Sequence, residues 1–174
     1  MPRVHLIRAV NVGGTKLPMA ELRQIAQELG ADNVSTFIAS GNLLADPAGR
    51  PEDFDRALER AIQDRYGYFR EVISRSPREI TQALKAYPFQ VTDPRFSHVY
   101  FLTEKPSTAA LSALDAYDTG DDELRVIGRD LHIRYANGVH GTNVTSPAIA
   151  RLLGCQGTGR NLATVAKLAQ LAAK

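Results

Sequence analysis

The hydrophobic pattern predicts an α+β protein of two packed ferredoxin-like (βαββαβ-type) subdomains, the second closing with a C-terminal helix. Three observations predict it. Apolar runs of four to seven residues alternate with longer stretches of helical period. Their order over residues 3–75 is β-α-β-β-α-β, the split βαβ arrangement. After a proline-bearing linker the same order of elements begins again, with no residue-level identity between the halves. At 174 residues the chain can bury one sizeable core or two small ones.

Each element has a local cause. Arg3 to Ala9 alternates apolar and polar residues and reads as a strand. From about Pro18, Leu22, Ile25, Ala26 and Leu29 share one helical face, and Gly30 is a good stop. "NVSTFIA" is rich in branched and aromatic residues and reads as a second strand. "SGN" interrupts it, and "LLAD" is a short third strand. Pro51-Glu52-Asp53 opens a helix, with proline and acids where both are favoured, and it runs to Gly67. "FREVISR" is the fourth strand.

Ser76-Pro77-Arg78-Glu79 is a capping box that starts a short helix. "AYPFQVTDPRF" reads as linker. "HVYFL", "STAALSALDAY", "ELRVIG" and "DLHIRYA" then give strand, helix and two strands meeting near Gly128-Arg129. Ser146-Pro147 opens a helix that stops at Gly154. Where a last strand would complete the second copy, the sequence predicts the helix "RNLATVAKLAQLAAK", capped by Asn161. The expected division is residues 1–76, a bridging helix and linker over 77–96, and residues 97–174.

Composition excludes several classes. No apolar run is long enough to span a bilayer, so no membrane partner is expected. "MPRVHLIRAV" argues against a cleavable signal, and the single Cys155 against a disulfide framework, so a cytoplasmic location is expected. Of the histidines, His5, His98 and His132 fall in or at strands and His140 in the loop "NGVHGTN". None has ligand spacing, so no metal is assigned. Arg3, Arg8 and Lys16 near the start, and a basic run from Arg125 onward with Asp130 its only acid, flank an acidic middle. If folding joins the ends, they suit an anion.

Three clusters could carry chemistry. Arg8-Ala9-Val10-Asn11-Val12-Gly13-Gly14-Thr15-Lys16 lacks the spacing of a P-loop and of a dinucleotide fingerprint. Gly13 and Gly14 permit left-handed backbone, Arg8 and Lys16 flank the loop, and the next helix has no clear polar cap, leaving amides for an anion. The alternative is a plain turn with Thr15 as cap. Ser40-Gly41-Asn42 reads as a turn between strands whose hydroxyl and amide could also meet a ligand. Ser40 has no G-x-S-x-G context and no assignable triad. Thr158-Gly159-Arg160-Asn161 enters the final helix, with Arg160 placed where the helix dipole does not favour it. Nucleic acid is a second reading, since Phe37, Phe69, Tyr100, Phe101 and Tyr135 lie on strands, but no RNP run exists and core packing explains most of these rings. An interaction scaffold without ligand is a third.

"LIRAVNVGGTKLPMAELRQIAQELGADNVSTFIASGNLLAD" resembles the opening of the domain of unknown function 1697 family, with its N-V-G-G, M-x-x-L-R and S-G-N motifs in register. "GTGRNLATVAKL" is similar to that family's closing motif, except that Leu162 stands where relatives usually carry tryptophan. If that ring covers a ligand in relatives, the site here is altered; if it is only core, Leu162 substitutes with little consequence. The resemblance implies two α+β subdomains and no reaction, cofactor or oligomeric state. It also gathers the family pattern onto Arg8, Asn11, Gly13, Gly14, Ser40, Gly41, Asn42, Arg160 and Asn161. The first and third strands of a ferredoxin-like half are central and antiparallel, so the first two clusters should meet at one edge. The expected function is binding of a small anionic or phosphate-bearing ligand there, with Lys16 among the donors; whether the protein is an enzyme is left open.

Overall fold

The computed structural model describes residues 2–174. In chain order it contains β1 (Arg3–Ile7), α1 (Met19–Glu28), β2 (Asp32–Thr36), β3 (Asn42–Asp46), α2 (Pro51–Tyr66), β4 (Val72–Arg75) and α3 (Pro77–Ala86). The second half adds β5 (Ser97–Leu102), α4 (Thr108–Asp115), β6 (Glu123–Ile127), β7 (Asp130–Arg134), α5 (Ser146–Leu153), β8 (Gly157–Asn161) and α6 (Leu162–Ala172). The chain forms two compact units: one runs through Ile80 and includes Leu168–Lys174, and the other is Thr81–Lys167.

In the first unit the sheet order is β2-β3-β1-β4, every neighbouring pair antiparallel. Strand alternation sends Ile7, Leu43, Ala45 and Val72 into one core with Leu22 and Ile25 of α1 and Phe54, Leu58 and Ile62 of α2. Each fully buried aliphatic or aromatic chain there contributes roughly 1.5–3 kcal/mol. α2 begins with Pro51 and two acids, and ends on Gly67 at φ 77°, whose amide donates to the Gln63 carbonyl at 2.8 Å. The capping box forms in both directions at α3: Ser76 N donates to Glu79 Oε2 (2.8 Å) and Glu79 N to Ser76 Oγ (3.2 Å).

In the second unit the order is β6-β7-β5-β8, again antiparallel throughout. Leu131, Ile133, Leu102 and Tyr100 pack with Ile149 and Leu153 of α5 and Leu114 of α4. One expectation is corrected here. The sequence predicts no closing strand, yet Gly157–Asn161 pairs with β5 from His98↔Asn161 to Leu102↔Gly157 before the last helix begins. "GTGRN" has almost no strand propensity of its own; its pairing comes from the free edge of β5 and from the Tyr100 ring lying over its glycines. Among the described residues, two four-stranded antiparallel sheets and six α-helices thus make the mixed α+β fold. Among the described residues no helix is long and apolar enough to cross a membrane.

Candidate ligand-binding edge

The first two sequence clusters leave the same corner of the first sheet. Leu6 is opposite Asn42, Ile7 N donates to the Gly41 carbonyl (2.9 Å), and Arg8 N donates to the Glu71 carbonyl (3.0 Å). Both loops then turn left-handed. Ala9, Asn11 and Ile38 have φ of 51°, 57° and 50°, and among the described non-glycine residues only Asn33 shares this region. For a β-branched residue such as Ile38 this conformation costs on the order of 1–3 kcal/mol and must be held by its surroundings. Gly41 (φ 89°) meets two demands at once, since an added Cβ would lie 2.7 Å from Val10 Cγ2 and 3.0 Å from the Ile7 carbonyl.

Asn11 is the clasp between the loops. Its Nδ2 donates to the carbonyls of Leu17 (2.9 Å) and Ala39 (2.6 Å), and its Oδ1 accepts from Leu17 N (2.8 Å). Asn42 is fully buried, with Nδ2 donating to the Phe37 carbonyl and to Ser40 Oγ, both at 2.9 Å. Both amides therefore build the edge from within. Arg8 is ion-paired with Glu71. Sequence reasoning missed the residues that brace the loop from below. Arg70 donates to the Ala9 carbonyl and to Thr15 Oγ1, each at 3.2 Å, and Tyr68 OH donates to the Lys16 carbonyl at 2.7 Å. "FRE" reads as the start of a strand, but β4 begins only at Val72, and the adjacent opposite charges of Arg70-Glu71 are the signal that this segment is spent on the loop.

The outward face is different in kind. Gly13 (φ 57°) and Gly14 (φ 85°) are exposed, with nothing within 4 Å of an added Cβ. Their amides have no hydrogen-bond partner among the described residues. The exposed Lys16 has no acidic partner among them either. α1 starts from Pro18, which supplies no side-chain cap, so the amides of Met19, Ala20 and Glu21 are also open. Thr15 does not cap it; its hydroxyl accepts from Arg70.

The third cluster belongs to the second unit. Arg160 on β8 is 6% exposed and donates to Thr158 Oγ1 (2.6 Å) and the Gly159 carbonyl (2.8 Å), and burial pushes its guanidinium down to about 10. Asn161 Oδ1 accepts from Thr164 N (2.9 Å), capping α6 as its sequence context predicts. Leu162, at the departure from the family pattern, is buried.

Other reactive side chains are held in structural roles. Asp55 accepts from His5 Nδ1 at 2.7 Å and from the Ser74 hydroxyl at 2.6 Å. The order His–Asp–Ser puts the carboxylate, not the imidazole, on the serine, so this is not a nucleophile-activating triad. Cys155 is buried, and burial pushes its thiol up, away from thiolate chemistry. His132 is sealed with both ring nitrogens unpartnered. Of the rings considered for base stacking, Tyr100, Phe101 and Tyr135 are buried and Phe69 is exposed. Among the described residues no group of three or more His, Cys, Asp or Glu side chains could hold a metal ion.

The family model described as "Protein of unknown function (DUF1697)" matches residues 1–132, so the chain belongs to that family. A similar solved structure is that of "conserved bacterial protein SP0830 from Streptococcus pneumoniae", with a TM-score of 0.78 at 21% identity, over 99% of this chain and 98% of that one. At that identity the likeness concerns the fold. No curated protein matches the chain.

Proposed function

We propose that this member of the DUF1697 family binds a small anionic or phosphate-bearing ligand at the corner where β1 ends and β3 begins. The carrying observation is the pair of consecutive left-handed glycines, Gly13 and Gly14, whose unpartnered amides open to solvent beside the unpaired Lys16. Backbone amides presented in succession form an anion-binding concavity, and the uncapped start of α1 adds donors of the same sign. Asn11, Gly41 and Asn42 hold this surface in shape, Ser40 is exposed beside it, and Arg8 adds charge only after Glu71 is answered. Arg160 and Asn161, the rest of the family pattern, lie in the second unit, where their bonds are to Thr158, Gly159 and Thr164. We also read both sheets as ferredoxin-like, a reading supported by their strand orders. Such a site positions an anion without needing an acid, base or nucleophile.

The test is thermal unfolding in inorganic phosphate against chloride at equal ionic strength. A ligand at ten times its Kd stabilises the folded state by about 1.4 kcal/mol, which raises Tm by about 3–6 °C for a chain of this size. Lys16→Ala is expected to lose most of that shift while melting normally without phosphate. The reading fails if phosphate gives no saturable shift, or if the shift survives in Lys16→Ala unchanged.

A further inference from the structure

β8 is an edge strand, and two of its inward positions, Gly157 and Gly159, carry no side chain. An added Cβ would lie 2.6 Å from the Tyr100 ring at Gly157 and 2.9 Å from it at Gly159. The bare strand is therefore filled by the ring of its β5 neighbour, and beside that ring a cavity of about 320 Å³ remains open. Its walls include His98, Tyr100, Tyr135, Val144, Thr145 and Gly159, all within the second unit. The volume sits at the low end of small-molecule pockets, which span roughly 300–1,000 Å³ and suit one or two fused rings at that end.

Among the polar groups lining it, the Thr142 hydroxyl is engaged with Asp122 and Val144 N and the Thr145 hydroxyl with Ala148 N, whereas Tyr135 and His98 meet in one corner. Tyr135 is 6% exposed, yet its hydroxyl has no hydrogen-bond partner among the described residues, and it is not among the polar atoms sealed inside the protein. A phenol hydroxyl that is not sealed and has no protein partner is a donor available to a ligand. His98 makes the complementary half. Its Nε2 faces the Arg95 carbonyl at 3.0 Å, which can only accept, so the proton sits there and Nδ1 is left as an acceptor. Nδ1 lies 3.8 Å from the Cβ position of Gly159, which lines the same cavity. Burial pushes the imidazole down and the Tyr135 phenol up, so the first stays neutral and the second stays protonated. The two rings meet edge to face, centroids 5.0 Å apart at 89°, and form a rigid corner. No Asp, Glu, Lys or Arg is among the lining residues.

We infer that this cavity is a second binding site, distinct from the anion edge, for an uncharged planar nitrogen heterocycle of the nucleobase class. Its flat face stacks on the aromatic wall over the bare strand, a ring nitrogen accepts from Tyr135, and an N–H donates to His98 Nδ1. With no ionic side chain in its lining the cavity offers no counter-charge, which favours an uncharged occupant, and the rigid corner favours a planar one.

Adenine is the probe, since it carries both an N–H donor and ring-nitrogen acceptors. Isothermal titration of the full chain is expected to give saturable binding. Amide chemical-shift mapping by NMR should centre on Tyr100, Tyr135, Thr145 and Gly159. Tyr135→Phe keeps the ring, loses only an unpartnered hydroxyl, and should melt as the parent does while binding about tenfold more weakly, the loss of one hydrogen bond. Gly159→Val should abolish binding by filling the lane; because it also presses on Tyr100, the Tyr135→Phe comparison carries the decision. Inorganic phosphate should leave the adenine affinity unchanged. The inference is overturned if adenine does not saturate, if the shifts map elsewhere, if Tyr135→Phe binds like the parent, or if phosphate displaces adenine.

Discussion

Replacing Asn11 by alanine removes the clasp of the candidate edge, and its effect can be worked from the bonds it makes. Two donations to carbonyls and one acceptance from Leu17 N are lost. Each net bond contributes about 1 kcal/mol, but at this exposed loop water replaces part of that, leaving about 2 kcal/mol. Alanine must also adopt φ 57°, which costs it about 1 kcal/mol more than asparagine or glycine. Asn11→Ala should therefore destabilise by about 3 kcal/mol and lower Tm by about 6–12 °C. Asn11→Gly should cost about 2 kcal/mol, since it loses the bonds and keeps the backbone freedom. Asn11→Asp keeps the acceptor but sets a carboxylate against two carbonyls, and should fall at or beyond the alanine value. Urea unfolding with a constant m-value measures all three. If Asn11→Ala costs less than about 0.5 kcal/mol, the size of an ordinary surface change, the amide does not hold the loops and the account of the edge is wrong. If glycine is as damaging as alanine, the left-handed conformation is not part of the cost.

Gly41→Ala combines backbone strain with a 2.7 Å approach to Val10 and should cost about 3 kcal/mol, against about 1 kcal/mol for Gly14→Ala, which meets only strain; urea unfolding of the pair separates clash from strain. His132 is held neutral, its imidazole pushed down to about 4 by burial. The unfolded chain therefore binds more protons below about pH 6.5, and the stability His132 contributes above that value is lost as pH falls toward 4, by on the order of 3 kcal/mol at most. His132→Phe should flatten this part of the pH–stability curve relative to the parent, with the similar pull of His98 cancelling in the difference; an unchanged slope would show that His132 is not buried neutral. Pro18→Ser offers α1 the cap it lacks; it should raise stability by about 1 kcal/mol and weaken phosphate binding, and a cap that left phosphate binding unchanged would remove the helix amides from the proposed site.

Helix ends were legible because their causes are local. Ser76 with Glu79, Asn161, Gly67 and Gly154 announce caps within four residues of chain, and each forms as its sequence context requires. Strand ends were not, because pairing and loop demands decide them. "NVSTFIA" has uniform strand propensity, yet the strand stops at Thr36 because Ile38 is turned left-handed beside the clasp. "GTGRN" has none, yet it is a strand because β5 offers it an edge. The meeting of Asn11 with the segment before Asn42 followed from topology alone, whereas the spending of both amides inside the protein depended on bond geometry that no motif states. Arg70 and Tyr68 were hidden for the same reason: they act on carbonyls, and a carbonyl leaves no trace in the sequence.

The two units provide an internal comparison that bears on which features of the edge are scaffold. In the first, Ile7 N bonds the carbonyl just before β3, and Arg8 N the carbonyl just before β4. In the second, Leu102 N bonds the Arg129 carbonyl just before β7, and Thr103 N the Gln156 carbonyl just before β8, each at 2.9 Å. The corner is the same although the residues differ, so these bonds belong to the architecture. Beyond the corner the two units diverge. In the second unit the chain goes directly to Ser107, which accepts from Ala110 N and closes the start of α4. In the first unit it spends eleven residues, from Arg8 to Pro18, on a left-handed loop with open glycine amides, and arrives at a helix without a cap. A capped and relaxed version of this corner is thus available to the same fold and is used once. The left-handed strain at Ala9, Asn11 and Ile38 and the open donors of the other copy are therefore not imposed by the topology, and they are the features on which the proposed anion site rests.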